Sequence, residues 1–322
     1  MTYPDPQIER SQDPLGETLH LLRLTGTLYC RPELTAPWGI DIPVLEGLMT
    51  FQVVTQGRCW LEVEGEPARL LQPGSLTLFP HGTAHSILSE PGVAREQLFD
   101  IPVEKISDRY EIMRYGGGGE ETRLTYGVMR FDHVAARRLI ALLPPIIEIN
   151  TFDQDAGNWL QTTLRFIIDE ARSLRPGGET IITRLSDILV IQAIRTWLDT
   201  APEAHQGWLA ALRDPQIGQA LGALHRAPDK AWTVALLAKQ AGMSRSVFST
   251  RFSKLVSDTP MHYLTWWRMQ LARAYLQQES VPLADIASRL GYLSEAAFCR
   301  AFKRLFGETP GSVRRDQPMT EP

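Results

Sequence analysis

The chain has 322 residues with 33 Lys and Arg against 37 Asp and Glu, a formal net charge of −4, and is long enough for two domains with separate cores. Its three cysteines, Cys30, Cys59 and Cys299, make no disulfide framework, and no apolar run approaches the roughly 18 residues that a membrane span needs. The opening MTYPDPQIERSQDP has no basic stretch leading into an apolar one, so the sequence predicts a cytoplasmic protein without a membrane partner.

The charge is unevenly spread. Residues 214–322 carry 14 Lys and Arg against 9 Asp and Glu, whereas the remainder carries 19 against 28. A basic module joined to an acidic one suits a nucleic-acid reader with a separate control domain.

From about Gly26 to Ile101 the text consists of short β-prone runs, among them TFQVVTQGRCWLEVEG and ARLLQPGSLTLFP, broken at Pro73-Gly74 and Pro80-His81-Gly82. Closely spaced strands predict a small sandwich or barrel. Pockets are aromatic with a few polar groups, so Trp38, Phe51, Trp60, Phe79 and His85 are the candidate lining of an interior pocket. Cys30 and Cys59 stand beside Arg31 and Arg58, where a neighbouring cation would favour thiolate, and are candidates for sensing electrophiles or oxidants.

Gly74, Pro80, Gly82 and His85 have the spacing of the second cupin motif, with Ser89 where Asn is common, and the region resembles a cupin barrel. Many cupins hold a catalytic metal on two His and a Glu of a first motif plus the His of the second. Counting back from Gly57 puts the Glu position at Thr50 and the His positions within Pro43–Glu46, where there is no histidine. One imidazole cannot supply the three protein ligands common in catalytic sites, so neither metal nor other cofactor is expected, and no catalytic residue is assigned.

Gly116–Gly119 reads as a flexible loop, because no Lys-Ser/Thr follows to make a phosphate cradle. TRLTYGVMRFD then reads as a strand. Beyond Val134 the period turns helical, and NWLQTTLRFIIDEARSLR and GETIITRLSDILVIQAIRTWLD form an amphipathic pair around Pro176-Gly177-Gly178. The apolar stripe with Ile181, Leu185, Ile188, Leu189 and Ile191 must bury against the barrel or against a second subunit, so these residues are candidates for a homodimer seam if the chain has one, with intramolecular core as the rival account. Residues 200–213, with Pro202 and Gly207, read as a hinge.

The strongest signal lies between residues 234 and 310, where one helical pattern is written twice. Val234, Leu237, Ala238 and Ala241 return as Leu283, Ile286, Ala287 and Leu290, each set on one helix face. Gly242-Met243 and Gly291-Tyr292-Leu293 follow as turns, then Ser244 and Ser294 at N-cap positions, then Phe248, Phe252, Leu255 and Phe298, Phe302, Leu305. Each copy ends on Thr-Pro. This is the grammar of the helix-turn-helix, whose second helix enters the major groove. The DNA-contacting candidates are Ser244, Arg245, Ser246, Ser249 and Arg251 in the first copy, and Ser294, Glu295, Ala296, Cys299, Arg300, Lys303 and Arg304 in the second. Met261–Gln278 reads as one helix of roughly 27 Å, fit to hold two reading heads about one DNA turn apart.

Residues 214–315 resemble the DNA-binding domain of the AraC/XylS family of bacterial transcription regulators, through WTVALLAKQAGMSRSVFSTRFSKLVSDTPMHYLTWWRMQLARAYL and LADIASRLGYLSEAAFCRAFKRLFGETP. Residues 15–101 resemble the cupin-type sensing domain of one subgroup. The resemblance implies double-stranded DNA, RNA polymerase, a small-molecule effector and a second copy of the chain as partners, and Arg268 as a phosphate contact.

The expected chain is α+β: a cupin-like ligand-sensing β-barrel (1–130), a helical dimerisation and coupling segment (131–200), a linker (201–213), an all-α DNA-binding domain with two helix-turn-helix units (214–315) and a disordered tail (316–322). Two alternatives stay open: a metal-dependent cupin enzyme fused to a DNA anchor, and a dimeric regulator that takes no ligand.

Overall fold

The structure is a computed structural model that describes residues 24–131, 138–149, 159, 162–163, 165–167, 169–170, 175–202, 207–278 and 281–315. The expected tail at 316–322 lies outside the described residues. Among those described, the chain divides into two compact units, residues 24–131 with 138–200, and residues 201–315.

The described residues of the first unit form the strands β1 (Leu24–Thr35), β2 (Gly39–Ile42), β3 (Leu48–Gln56), β4 (Cys59–Glu62), β5 (Arg69–Leu71), β6 (Leu76–Phe79), β7 (His85–Leu88), β8 (Glu96–Gln97), β9 (Val103–Ser107), β10 (Tyr110–Gly116), β11 (Glu121–Phe131) and β12 (Ile147–Ile149). They form a seven-stranded sheet, β12-β6-β3-β11-β1-β10-β9, and a five-stranded sheet, β5-β4-β7-β2-β8. The barrel of the sequence reading is therefore two sheets rather than one closed ring. A single core joins them, with Cys30, Leu34, Val54 and Phe79 from the larger sheet and Ile40, Ile42, Cys59, Leu61 and Ile87 from the smaller. Alternation of side chains along each strand turns these residues to the face between the sheets, while neighbours such as Tyr29, Val53 and Leu78 are buried on the opposite face of the larger sheet.

Gly116–Gly119 differs from the flexible loop expected. Gly117 and Gly119 donate their N–H groups to the carbonyls of Thr35 and Ala36 at 2.7 and 2.8 Å, and Gly118 donates to the Thr35 hydroxyl at 2.9 Å. Gly116 has φ +124°, and a Cβ there would stand 1.9 Å from the Thr35 carbonyl oxygen. The run is glycine because the two segments touch backbone to backbone, not because the loop is slack.

Helix α1 (Gly178–Thr200) follows the Gly177 turn. It buries Ile182, Leu189, Val190, Ala193, Ile194 and Leu198 and packs on β1 and β12. Leu189, expected at a dimer seam, therefore belongs to this unit's own core. Ile181 and Ile188 are each 46% exposed. The described positions of the preceding segment, 159, 162–163, 165–167 and 169–170, are helical.

The second unit contains α2 (Gly207–Arg213), α3 (Ile217–Arg226), α4 (Val234–Gln240), α5 (Arg245–Val256), α6 (Pro260–Gln278), α7 (Leu283–Arg289), α8 (Glu295–Phe306) and α9 (Pro310–Arg315). Residues 207–213 are a correction: read as hinge, they are helix α2, which buries Trp208, Leu209, Ala211 and Leu212 and packs on α3 and α5. The Trp208 Nε1–H donates to the Tyr263 hydroxyl on α6 at 3.0 Å, and His225 on α3 hydrogen-bonds the same hydroxyl at 2.8 Å while stacking on Trp267. Two apolar side chains per turn and a buried indole outweigh the hinge-like Pro and Gly that flank the segment.

Candidate DNA interface and interior cavity

The two helix-turn-helix units are α4–α5 and α7–α8, with α6 between them. Phe248, Phe252, Phe298 and Phe302 are fully buried, each worth about 1.5–3 kcal/mol of transfer free energy. They hold each second helix on its partner, as their helical spacing requires. The second helices start where Ser244 and Ser294 accept backbone N–H groups from Val247 and Ala297 at 3.4 and 3.2 Å. Both serines thus act as N-caps.

The outward face of α5 presents Arg245, Ser246, Val247, Thr250 and Lys254 as exposed residues with Ser249 half-exposed; that of α8 presents Glu295, Ala296, Arg300, Lys303 and Arg304, with Cys299 half-exposed. None of Arg245, Lys254, Arg300, Lys303 and Arg304 forms an ion pair among the described residues. Their charge is open to an anion. Thr250 and Lys254 escaped the sequence reading, although their steps of four from Ser246 would have found them. Leu293, immediately before the second cap, is wholly exposed.

Two predicted DNA contacts are placed otherwise. Arg251 turns back along α5 and donates to Asp214 at 2.6 Å and to Gln216 at 2.8 Å. Asp214 also accepts the N–H groups of Gln216 and Ile217 at the start of α3, so Arg251 locks α5 to that helix end. Arg268 donates from Nε to the Pro228 carbonyl at 2.7 Å and from Nη2 to the Lys230 carbonyl at 2.9 Å, and its guanidinium lies 5.7 Å from the centre of the Tyr292 ring. Partial burial lowers its pKa from the ordinary value. Arg268 clasps α6 to the loop before α4 and to the turn of the second unit. In both cases a neighbouring acceptor outside the helix-turn-helix decided the direction of a long side chain.

The first unit contains a cavity of about 400 Å³ between the sheets, lined by Leu28, Cys30, Ile40, Ile42, Met113 and Tyr126 among others, with Leu98, Phe99, Ile101 and Val103 along one side. Of the seven side chains expected to line an effector site, Cys30 lines this cavity, and His85 lines a second pocket with Asp41, Glu62, Ser86 and Arg95. Phe51 points to the opposite face of its sheet, where its ring meets Tyr29 at 6.4 Å. Trp60 alternates outward between buried Cys59 and Leu61. Trp38, Cys59 and Phe79 are packed in the core rather than along the cavity. Aromatic identity alone did not reveal the pocket, because strand parity decides which side chains face inward.

The cysteines also depart from expectation. Burial pushes the thiols of both Cys30 and Cys59 up to about 12, with Glu111 adding to the effect at Cys30. Arg31 pairs with Glu33 at 3.1 Å and Arg58 reaches Glu120 at 4.0 Å, so neither guanidinium serves as a thiolate partner. Neither thiol has the electropositive, accessible setting of a reactive cysteine.

His85 stacks on Phe79 at 3.8 Å and its Nδ1 meets the Thr83 carbonyl at 2.8 Å, while desolvation lowers its pKa to about 4. The cupin metal has no fitting ligand set here, since Thr50 stands at the Glu position and, among the described residues, no group of three or more His, Cys, Asp and Glu could hold an ion. Ser89, at the position where Asn is common, accepts the Trp38 N–H on its hydroxyl at 3.1 Å.

A sheet-rich unit with an internal cavity and an all-α unit with two capped, basic second helices define a DNA-binding regulator. Comparisons agree. Residues 13–199 match the family model described as Cupin, and residues 237–316 match that described as Helix-turn-helix domain. A putative AraC-like transcription regulator of Streptomyces lividans is 34% identical over 317 residues, 95% of this chain and 99% of the relative. The RCS-specific HTH-type transcriptional activator RclR of Escherichia coli K12 is 28% identical over 304 residues, 94% of this chain and 97% of the relative. The solved DNA-binding domain of AdpA in complex with a target DNA is 27% identical, with a TM-score of 0.31, and the match covers 32% of this chain and 91% of that one. The chain belongs to the AraC family of DNA-binding transcription regulators, with an N-terminal cupin domain.

Proposed function

We propose that this regulator reads two successive major grooves with α5 and α8 and that a small molecule held in the cavity of the first unit controls it. The observation that carries the DNA reading is the pairing of two N-capped helices whose exposed Arg245, Lys254, Arg300, Lys303 and Arg304 have no ion-pair partner among the described residues. Arg245 and Arg300, in the first half of their helices, are the base readers, since guanine presents two acceptors to a guanidinium. Lys254, Lys303 and Arg304, a turn or more further on, meet phosphate. Ser246, Ser249, Ala296 and Cys299 are small enough to let each helix approach the base edges, and Glu295 accepts from a cytosine amine. A homodimer through α1, contact with RNA polymerase and a cytoplasmic location complete the reading.

Arg300→Ala should weaken binding to the selected operator by about 1–3 kcal/mol and relax preference at one base pair, whereas Lys303→Ala should weaken binding to all sequences alike and flatten its salt dependence by about one counterion. Selection from a randomised duplex library, followed by salt titration, measures both. An Arg300→Ala protein with unchanged sequence preference would remove the base-reading assignment. Arg251→Ala, by contrast, should lower the melting temperature and leave the preferred sequence as it was.

A further inference from the structure

The interior of the first unit is not uniformly apolar. Strand registers place Thr77 of β6, Gln52 of β3, Tyr126 of β11, Cys30 of β1 and Glu111 of β10 opposite one another in a single row across the larger sheet. Residues directly opposite share a face. Tyr126, Cys30 and Glu111 line the cavity, which identifies that face as the inner one. Gln52 and Thr77 are wholly buried, and neither the amide oxygen nor the amide nitrogen of Gln52, nor the Thr77 hydroxyl, has a hydrogen-bond partner among the described residues. The Tyr126 hydroxyl and that of Thr50, one pair further along β3, face each other. Unsatisfied buried polar groups cost about 1–3 kcal/mol each. Three such atoms and the Tyr126–Thr50 hydroxyl pair make this the polar end of the interior, and Tyr126 is its member on the cavity wall, where the head group of a guest would meet it.

The charge of the lining narrows that head group. Among the described residues, Glu111 is its one ionisable side chain besides Cys30 and Tyr126, and no Lys, Arg or His lines the cavity. Burying a carboxylate there would cost several kcal/mol with no counter-ion to offset it, and Glu111 would repel it. A cation would find only Glu111, at the opposite end of the row from Gln52 and Thr77. Elsewhere the lining is hydrocarbon, and the side nearest solvent carries Phe99 and Val103, exposed by 73% and 41%. An apolar lip admits an apolar body.

Resting on the reading of this cavity as the effector site, we infer that its ligand is an uncharged amphiphile. Its hydrocarbon body lies against Ile40, Ile42, Ile87 and Met113, and a single hydroxyl- or amide-type head hydrogen-bonds at Tyr126. At a protein-like packing density of about 0.74, the cavity takes a guest of roughly 300 Å³.

Calorimetric titration of the full chain at pH 8 with 1-decanol, decanoate and decyltrimethylammonium, each below its aggregation limit, tests this. Decanol should bind with one-to-one stoichiometry at least tenfold more tightly than either ion. Tyr126→Phe should weaken decanol three- to tenfold, and Glu111→Gln should raise decanoate affinity. Ile40→Trp, or the milder Met113→Phe should the first not fold by circular dichroism, fills the cavity and should abolish binding. Should decanoate or the ammonium bind as well as decanol and lose binding in the filled variants, the head-group assignment falls while the effector site stands. Decanol affinity unchanged by Tyr126→Phe overturns the assignment in the same way. If none of the three binds, or if binding ignores the filled variants, the cavity as effector site falls with it.

Discussion

His85 and Asp187 show how burial turns single side chains into opposed pH terms within one unit. Desolvation holds the His85 pKa at about 4, below its ordinary 6.5, so the unfolded chain takes up a proton that the folded one refuses. Its contribution to stability is full above pH 6.5 and is lost as pH falls toward 4. Asp187 on α1 has its carboxyl raised to about 6 from 3.8 by burial, with Arg184 at 3.5 Å only partly offsetting it. Its term is full below pH 3.8 and is lost as pH rises through 6. Urea midpoints measured from pH 4 to 7.5 should separate the two. Asp187→Asn should gain on the parent progressively from pH 4 to 6 and then hold a constant advantage, whereas the deficit of His85→Gln should shrink as pH falls from 6.5 toward 4. A flat difference for either variant would mean that its group titrates in the fold as it does in the open chain.

At the scale of the element, the two helix-turn-helix copies are alike in caps and seams and unlike at their ends. Helix α8 stops at Gly307 with φ +77°, but α5 stops at Ser257 with φ +59°, a left-handed position that an L side chain occupies at a cost of roughly 1 kcal/mol. Ser257→Gly should raise stability by about 0.5–1 kcal/mol, and Gly307→Ser should lower it by a similar amount, both read from thermal or urea unfolding of the full chain. The turns contrast in another way. Gly242 and Gly291 both have positive φ, at +62° and +74°, yet a Cβ at Gly242 meets nothing within 4 Å, whereas one at Gly291 would lie 2.3 Å from the Asp229 carbonyl oxygen and 2.8 Å from Arg268 Nη2. Gly242→Ala should cost about 1 kcal/mol. Gly291→Ala should cost more, because the Asp229 backbone as well as the Arg268 side chain must give way, and a double variant with Arg268→Ala should recover only the smaller part of the loss. Equal melting temperatures for the two single variants would contradict the close packing at Gly291.

At the scale of the whole molecule, the proposed homodimer has the exposed part of α1 as its seat. Ile181 and Ile188 lie seven residues apart on one side of the helix, with Leu185 half-buried between them. Two successive turns of exposed isoleucine suit a self-complementary helix contact. Ile188→Asp should shift the sedimentation coefficient toward that of a 36.2 kDa monomer and reduce operator affinity without altering the fold of either unit. A variant that sediments like the parent would place the contact elsewhere.

Much of this was written in the linear text. The doubled pattern of Leu, Ala and Phe, the two capping serines and the glycine turns act within a few residues of one another, so local helix geometry alone makes them readable. The strand runs around Pro73-Gly74 and Pro80-Gly82 are local in the same sense. What the text did not disclose depends on neighbours distant in sequence. Arg251 and Arg268 are spaced like DNA contacts until Asp214 and the Pro228 and Lys230 carbonyls claim them, and residues 207–213 read as a hinge until Trp208 finds Tyr263. The cavity, with Cys30 inside it and Phe51 turned away, follows from strand parity and sheet pairing. Those are set only when strands separated by many residues come into register, and no local rule carries that information.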